Sequence, residues 1–64
     1  MKIILDKIMK ERKLSNRQLA YMTGISKTTI DAVRKGRTPK MSTMQRIAKG
    51  LELRLEDLYV DDEE

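Results

Sequence analysis

Apolar residues recur along the chain in short stretches at helical spacing, and small polar residues stand where each stretch begins or ends. Ile4, Leu5, Ile8 and Met9 make one stripe, with Asp6, Lys7, Lys10 and Glu11 on the other side, which predicts a first helix over residues 2–13. Leu14 then precedes Ser15 as a hydrophobic staple. Leu19, Ala20, Thr23, Ile25, Ile30 and Val33 are spaced to face inward from a second and a third helix. Gly36 ends the third helix and Pro39 cannot continue it. A fourth helix is expected from Ser42, whose capping box Thr43-Met44-Gln45 completes, with Met44, Ile47, Ala48 and Leu51 as its inner stripe. Gly50 inside that stripe costs about 1 kcal/mol relative to alanine, and close packing against a neighbouring helix accounts for it. Leu53 and Leu55 lead into a last short helix, Glu56 to Val60, that buries Leu58 and Tyr59. Five helices and no strand make the expected fold all-α: one compact domain over residues 1–60, followed by a disordered acidic tail at 61–64.

The second and third helices carry the most specific signals. Ser15 can accept from the third helical amide while Gln18 reaches back to the Ser15 amide. Gly24 supplies the positive φ that a sharp turn needs, and Ser26 caps the helix that starts at Lys27. Ala20 is small where the two helices must approach closely. Lys27, Thr28, Asp31, Ala32 and Lys35 are left on the outside of the third helix. Two helices of this length, joined by this turn, make a helix-turn-helix whose second helix can enter a DNA major groove.

Composition narrows the chemistry. The chain has no cysteine and no histidine, which removes disulfides, thiolate metal sites and the commonest general base. No phosphate loop and no paired buried carboxylates are visible, so no catalytic residue, metal site or cofactor is expected. No apolar run approaches a membrane span and no signal peptide opens the chain, so the expectation is a soluble cytoplasmic protein. The net charge of +4 is unevenly spread. Residues 10–40 carry nine Lys or Arg against two acids, whereas residues 51–64 carry one Arg against seven acids. The basic half coincides with the helix-turn-helix, which favours a polyanionic partner there over charge scattered for solubility.

Taken together, Leu14-Ser15, Gln18-Leu19-Ala20, Gly24-Ile25-Ser26, Ile30, Gly36 with Pro39, Ile47-Ala48 and Leu55-Glu56-Asp57-Leu58 resemble the Cro/CI-type helix-turn-helix family of phage repressors and bacterial regulators. The resemblance runs over residues 3–60. It implies a five-helix, lambda-repressor-like domain that binds double-stranded DNA, commonly as a homodimer on a two-fold operator. It places base contacts at Lys27, Thr28 and Ala32. It places backbone contacts at Asn16, Arg17, Ser26, Lys35, Arg37, Thr38 and Lys40. The side chains suit those places: lysine donates to guanine O6 and N7, and threonine or alanine can lay a methyl on thymine. Each also has a plainer reading, as a solvated helix charge, an early-helix polar residue, a good helix former or, for Ser26, a cap. Many relatives pair an arginine on the first helix with a glutamate on the third; here Met9 and Arg34 stand at those positions. Arg34 can therefore point toward Asp6 or toward DNA. Lys13 and Glu52 stand where many relatives have glycine, which implies positive φ at both.

Three functions compete. A sequence-specific transcriptional regulator is favoured, with no small-molecule effector because no sensory domain is visible. A protein-interaction module, such as an antitoxin that binds a partner protein, is the alternative; Leu55, Tyr59 and Val60 hint at its apolar surface or at a homodimer surface. An enzyme is disfavoured. The basic half of the chain generates a direct expectation: DNA affinity falls with salt at a log–log slope of about −0.9 per phosphate neutralised. A salt titration with a slope near zero would contradict a DNA partner.

Overall fold

Four α-helices form where the apolar stripes place them: α1 (Leu5–Glu11), α2 (Asn16–Thr23), α3 (Lys27–Arg34) and α4 (Met41–Leu51). They come from a computed structural model that describes residues 2–60. Leu5, Met9, Leu19, Ile30, Ile47, Leu51 and Leu58 are almost fully buried in one aliphatic core. Removing each of these side chains from water is worth about 1.5–3 kcal/mol.

Both ends of the chain depart from the all-helical expectation. The first helix was expected over 2–13, but Lys2–Ile3 form a short strand, β1, and α1 begins only at Leu5. The last helix was expected from Glu56 to Val60. Instead Leu55–Leu58 form one 3-10 turn, and Tyr59–Val60 form a second strand, β2. The two strands pair antiparallel, Lys2 opposite Val60 and Ile3 opposite Tyr59, and the Ile4 amide donates to the Leu58 carbonyl at 2.9 Å. The described residues thus hold four α-helices, not five, and a two-stranded sheet. The physical reason is non-local: extended backbone at each end gains hydrogen-bond partners only from the other. Tyr59, expected to be buried, is half-buried on that strand. The expected acidic tail at 61–64 lies outside the described residues.

The start of α4 also differs. Lys40 holds the N-cap position without a side-chain cap, and Ser42 already lies inside the helix, so the Ser42–Gln45 capping box does not form. By contrast, the Ser15 box is present: the Gln18 amide donates to Ser15 Oγ at 3.1 Å and the Ser15 amide to Gln18 Oε1 at 2.8 Å. Lys13 and Glu52 both take φ 58°, as their glycine-like positions imply. At Lys13 the reversal is a Schellman motif, with Leu14 N–H donating to the Met9 carbonyl and Lys13 N–H to that of Lys10. The same bonding pattern closes α3 at Gly36 and α4 at Glu52. The Arg12 side chain ties two of these ends together, donating from Nη1 to the Leu51 carbonyl at 2.7 Å.

Gly50 lies where α4 packs against the end of α2. A Cβ on Gly50 would stand 2.6 Å from Thr23 Cγ2. Thr23 cannot swing aside freely, because its hydroxyl donates to the Leu19 carbonyl at 2.8 Å and accepts from the Ile25 amide at 3.2 Å. Gly50→Ala should therefore destabilise the domain: overpacking costs about 1–3 kcal/mol, more than offsetting the helix-propensity gain of about 1. Thr23→Ser, which keeps the hydroxyl and removes Cγ2, should recover most of that loss in a urea melt of the double variant. A Gly50→Ala variant as stable as the parent would show that α4 can move away from α2.

Candidate nucleic-acid interface

The site begins with the turn between α2 and α3. Gly24 takes φ 76°, and Ile25, next in the chain, is buried in the core. Ser26 then opens α3: its Oγ accepts from the Thr29 amide at 3.2 Å and donates to the Thr29 hydroxyl at 2.9 Å. Its hydroxyl is thus committed to the cap within the domain.

At 3.6 residues per turn, Lys27, Asp31 and Lys35 form one row along α3, and Thr28 and Ala32 form the row beside it. Ile30 and Val33 lie on the opposite side and are buried. The core therefore fixes which arc of α3 faces solvent. Lys27 and Thr28 are exposed, and Ala32 is half-buried. The three residues assigned to base contacts lie on this one outward arc, with Lys27 and Thr28 at its N-terminal end.

The backbone set divides. Arg17, Ser26, Lys35, Arg37, Thr38 and Lys40 are exposed, and Asn16 is half-buried. Lys35 is paired with Asp31 one turn earlier, Nζ to Oδ2 at 3.1 Å, so the acid on the outward arc of α3 is neutralised by its own helix. That pair lies on the surface, and a polyanion can compete for Lys35. Lys27, Arg17, Arg37 and Lys40 make no ion pair among the described residues. Lys40 also holds the N-cap position of α4, so the basic loop after α3 is anchored at both ends.

Arg34 settles toward Asp6. Its Nε donates to Asp6 Oδ1 at 2.7 Å, and its Nη1 donates to Asn16 Oδ1 at 2.6 Å. Lys10 meets the other Asp6 oxygen at 3.0 Å. Lys10 first, and then Arg34, hold the Asp6 carboxyl below the ordinary aspartate range, so it remains ionised at neutral and mildly acidic pH. The C-terminal end of α3 is thereby drawn against the first residue of α2. An open cleft of about 460 Å³ lies beside this contact, and Lys2, Lys7, Arg34 and Lys35 contribute its cations.

Sequence reasoning missed the bond from Arg34 to Asn16, as well as Lys2 and Lys7 beside Arg34. The first has no short-range signature, because residues 16 and 34 meet only once α1, α2 and α3 are packed. Lys2 is placed there by β1, which an all-helical reading does not contain, and Lys7 joins it only once α1 and α3 are packed. Among the described residues no His, Cys, Asp or Glu cluster suits a metal ion, and no helix is long and apolar enough to cross a membrane.

A family model described as a Cro/C1-type HTH DNA-binding domain matches residues 4–64 of the chain. Comparison with curated proteins and with solved structures gave no match.

Proposed function

We propose, for a chain that belongs to the Cro/C1-type HTH DNA-binding domain family, that it is a sequence-specific regulator of transcription. In this reading α3 enters the major groove of double-stranded DNA, as one half of a homodimer on a two-fold operator. The observation that carries it is the outward arc of α3. Lys27, Thr28 and Ala32 are presented by a helix whose other side is fixed by Ile30 and Val33 in the core. Lys27 donates to a guanine edge, while Thr28 and Ala32 read a thymine methyl or a neighbouring base edge. Asn16, Arg17, Ser26, Lys35, Arg37, Thr38 and Lys40 hold the phosphates on either side and set the register without reading sequence. For Ser26 this requires its hydroxyl to leave Thr29, so its amide and cap geometry matter more than its proton.

One observation favours a second reading, a protein-interaction module. Tyr21 is 92% exposed, and with Leu14 and Met22 it lines a shallow apolar groove on α2. The family match and the basic half of the chain favour the first reading. Retention on random DNA that weakens as salt rises supports it, and an interaction module without DNA affinity would pass through unretained.

The assignment of roles makes a sharper test. Lys27→Ala or Thr28→Ala should relax preference at particular base pairs, by about 1–3 kcal/mol for a good bidentate contact. Arg37→Ala should weaken binding to all sequences alike and lower the salt slope by about 1. A base-preference profile unchanged by Lys27→Ala would mean that α3 is not the reading helix.

A further inference from the structure

Arg34 is a cation on the DNA-reading helix, yet its side chain is turned inward and is only 20% exposed. It spans two partners on two other helices, Asp6 on α1 and Asn16 on α2. A guanidinium has only donors, so the Asn16 atom that meets Nη1 must be the amide oxygen. This contact decides a question that an asparagine side chain usually leaves open, namely which end of its amide points where. With Oδ1 held by Arg34, the Nδ2 group is the end of the amide left for another partner. Among the described residues no hydrogen-bond acceptor meets Nδ2, and no buried side-chain nitrogen or oxygen lacks a partner. The Nδ2 group is therefore open to solvent. It sits at the first residue of α2, beside the helix amides that carry no intrahelical bond.

We infer that Arg34 is a positioning residue for DNA binding: it locks the Asn16 amide with both donors outward, toward a backbone phosphate. The inference rests on the DNA-binding reading and deepens it. Asp6 completes the device. Its carboxylate takes Nε of the same guanidinium and keeps Arg34 from swinging out to the phosphate itself, while Lys10 holds the other carboxylate oxygen. A charged residue on the reading helix thus acts through a neutral one on the neighbouring helix. Free rotation of the Asn16 amide would present the oxygen to the phosphate part of the time, and that orientation is repulsive.

A double-variant cycle separates this role from a direct contact. Asn16→Ala, Arg34→Met and the double variant are titrated with a bound DNA duplex at several salt concentrations, and circular dichroism melts verify folding. Asn16→Ala should weaken binding roughly tenfold, the size of one hydrogen bond to a charged group, and Arg34→Met by about twofold or more, because the freed amide presents its donors only part of the time. The double variant should be no weaker than Asn16→Ala alone, and the salt slope should be unchanged by Arg34→Met, because the group that meets the phosphate is neutral. A double variant weaker than Asn16→Ala by the full Arg34→Met loss, or a slope shallower by about 0.9 in Arg34→Met, would show that Arg34 touches DNA itself and would overturn the inference. Asn16→Asp supplies a test that keeps the Arg34 partner and therefore the packing: it retains the acceptor and removes both donors. It should lose at least as much affinity as Asn16→Ala, and parental affinity in Asn16→Asp would overturn the inference. A parent chain with no affinity for DNA would overturn the DNA reading as well, whereas multiplied losses with parental binding intact would overturn this inference alone.

Discussion

The closeness of α2 to α4 is the constraint on which the rest of the domain depends. At Gly50 there is no room for a Cβ, and the atom that occupies the space is the methyl of Thr23. The same threonine carries the last turn of α2 into Gly24 through its two hydroxyl bonds, to the Leu19 carbonyl and from the Ile25 amide. Ile25 then drops into the core and Ser26 starts α3. One residue therefore couples the depth at which α2 lies on α4 to the point where α3 departs. Burial of Ile30 and Val33 sets the rotation of α3 about its own axis, and that rotation selects the outward arc.

Much of this was legible because its causes are local. The Ser15–Gln18 box, the left-handed Gly24 and the Ser26 cap each depend on residues within a few positions of one another, and all three form. The core stripes of α1 through α4 were readable for the same reason, since helical periodicity is a short-range property. Gly50 was readable as a site of close packing, although its partner Thr23 was not. The Ser42 box was misread: a Ser-x-x-Gln pattern also occurs inside a helix, and after Pro39 the cap falls two residues earlier, at Lys40. The sheet was missed because Lys2–Ile3 and Tyr59–Val60 lie at opposite ends of the chain and are too short to show a period of two. The outward placement of Lys27, Thr28 and Ala32 on α3 was legible from helical spacing. The direction of Arg34 was not: Asp6 and DNA were equally open to it, and its second partner, Asn16, comes within reach only when three helices are packed.

The charges follow the same division between local and tertiary causes. Asp31 and Lys35 neutralise each other one turn apart, as does Lys10 with one oxygen of Asp6. Arg34, the one cation of α3 with a tertiary partner among the described residues, is withdrawn from the surface. Lys27, Arg17, Arg37 and Lys40 are left to set the field outside. Local pairs thus neutralise surface charge within a single helix, whereas the tertiary pair of Arg34 joins α3 to α1 and leaves Lys27 as the unpaired cation of α3 among the described residues.

Selection of bound duplexes from random DNA tests the central claim most directly, that the core presents one arc of α3 to read base sequence. The account predicts that the recovered duplexes share a motif repeated in inverted orientation, with half-site centres about one helical turn, 10–10.5 base pairs, or a multiple apart. A recovered pool with no shared sequence would contradict it.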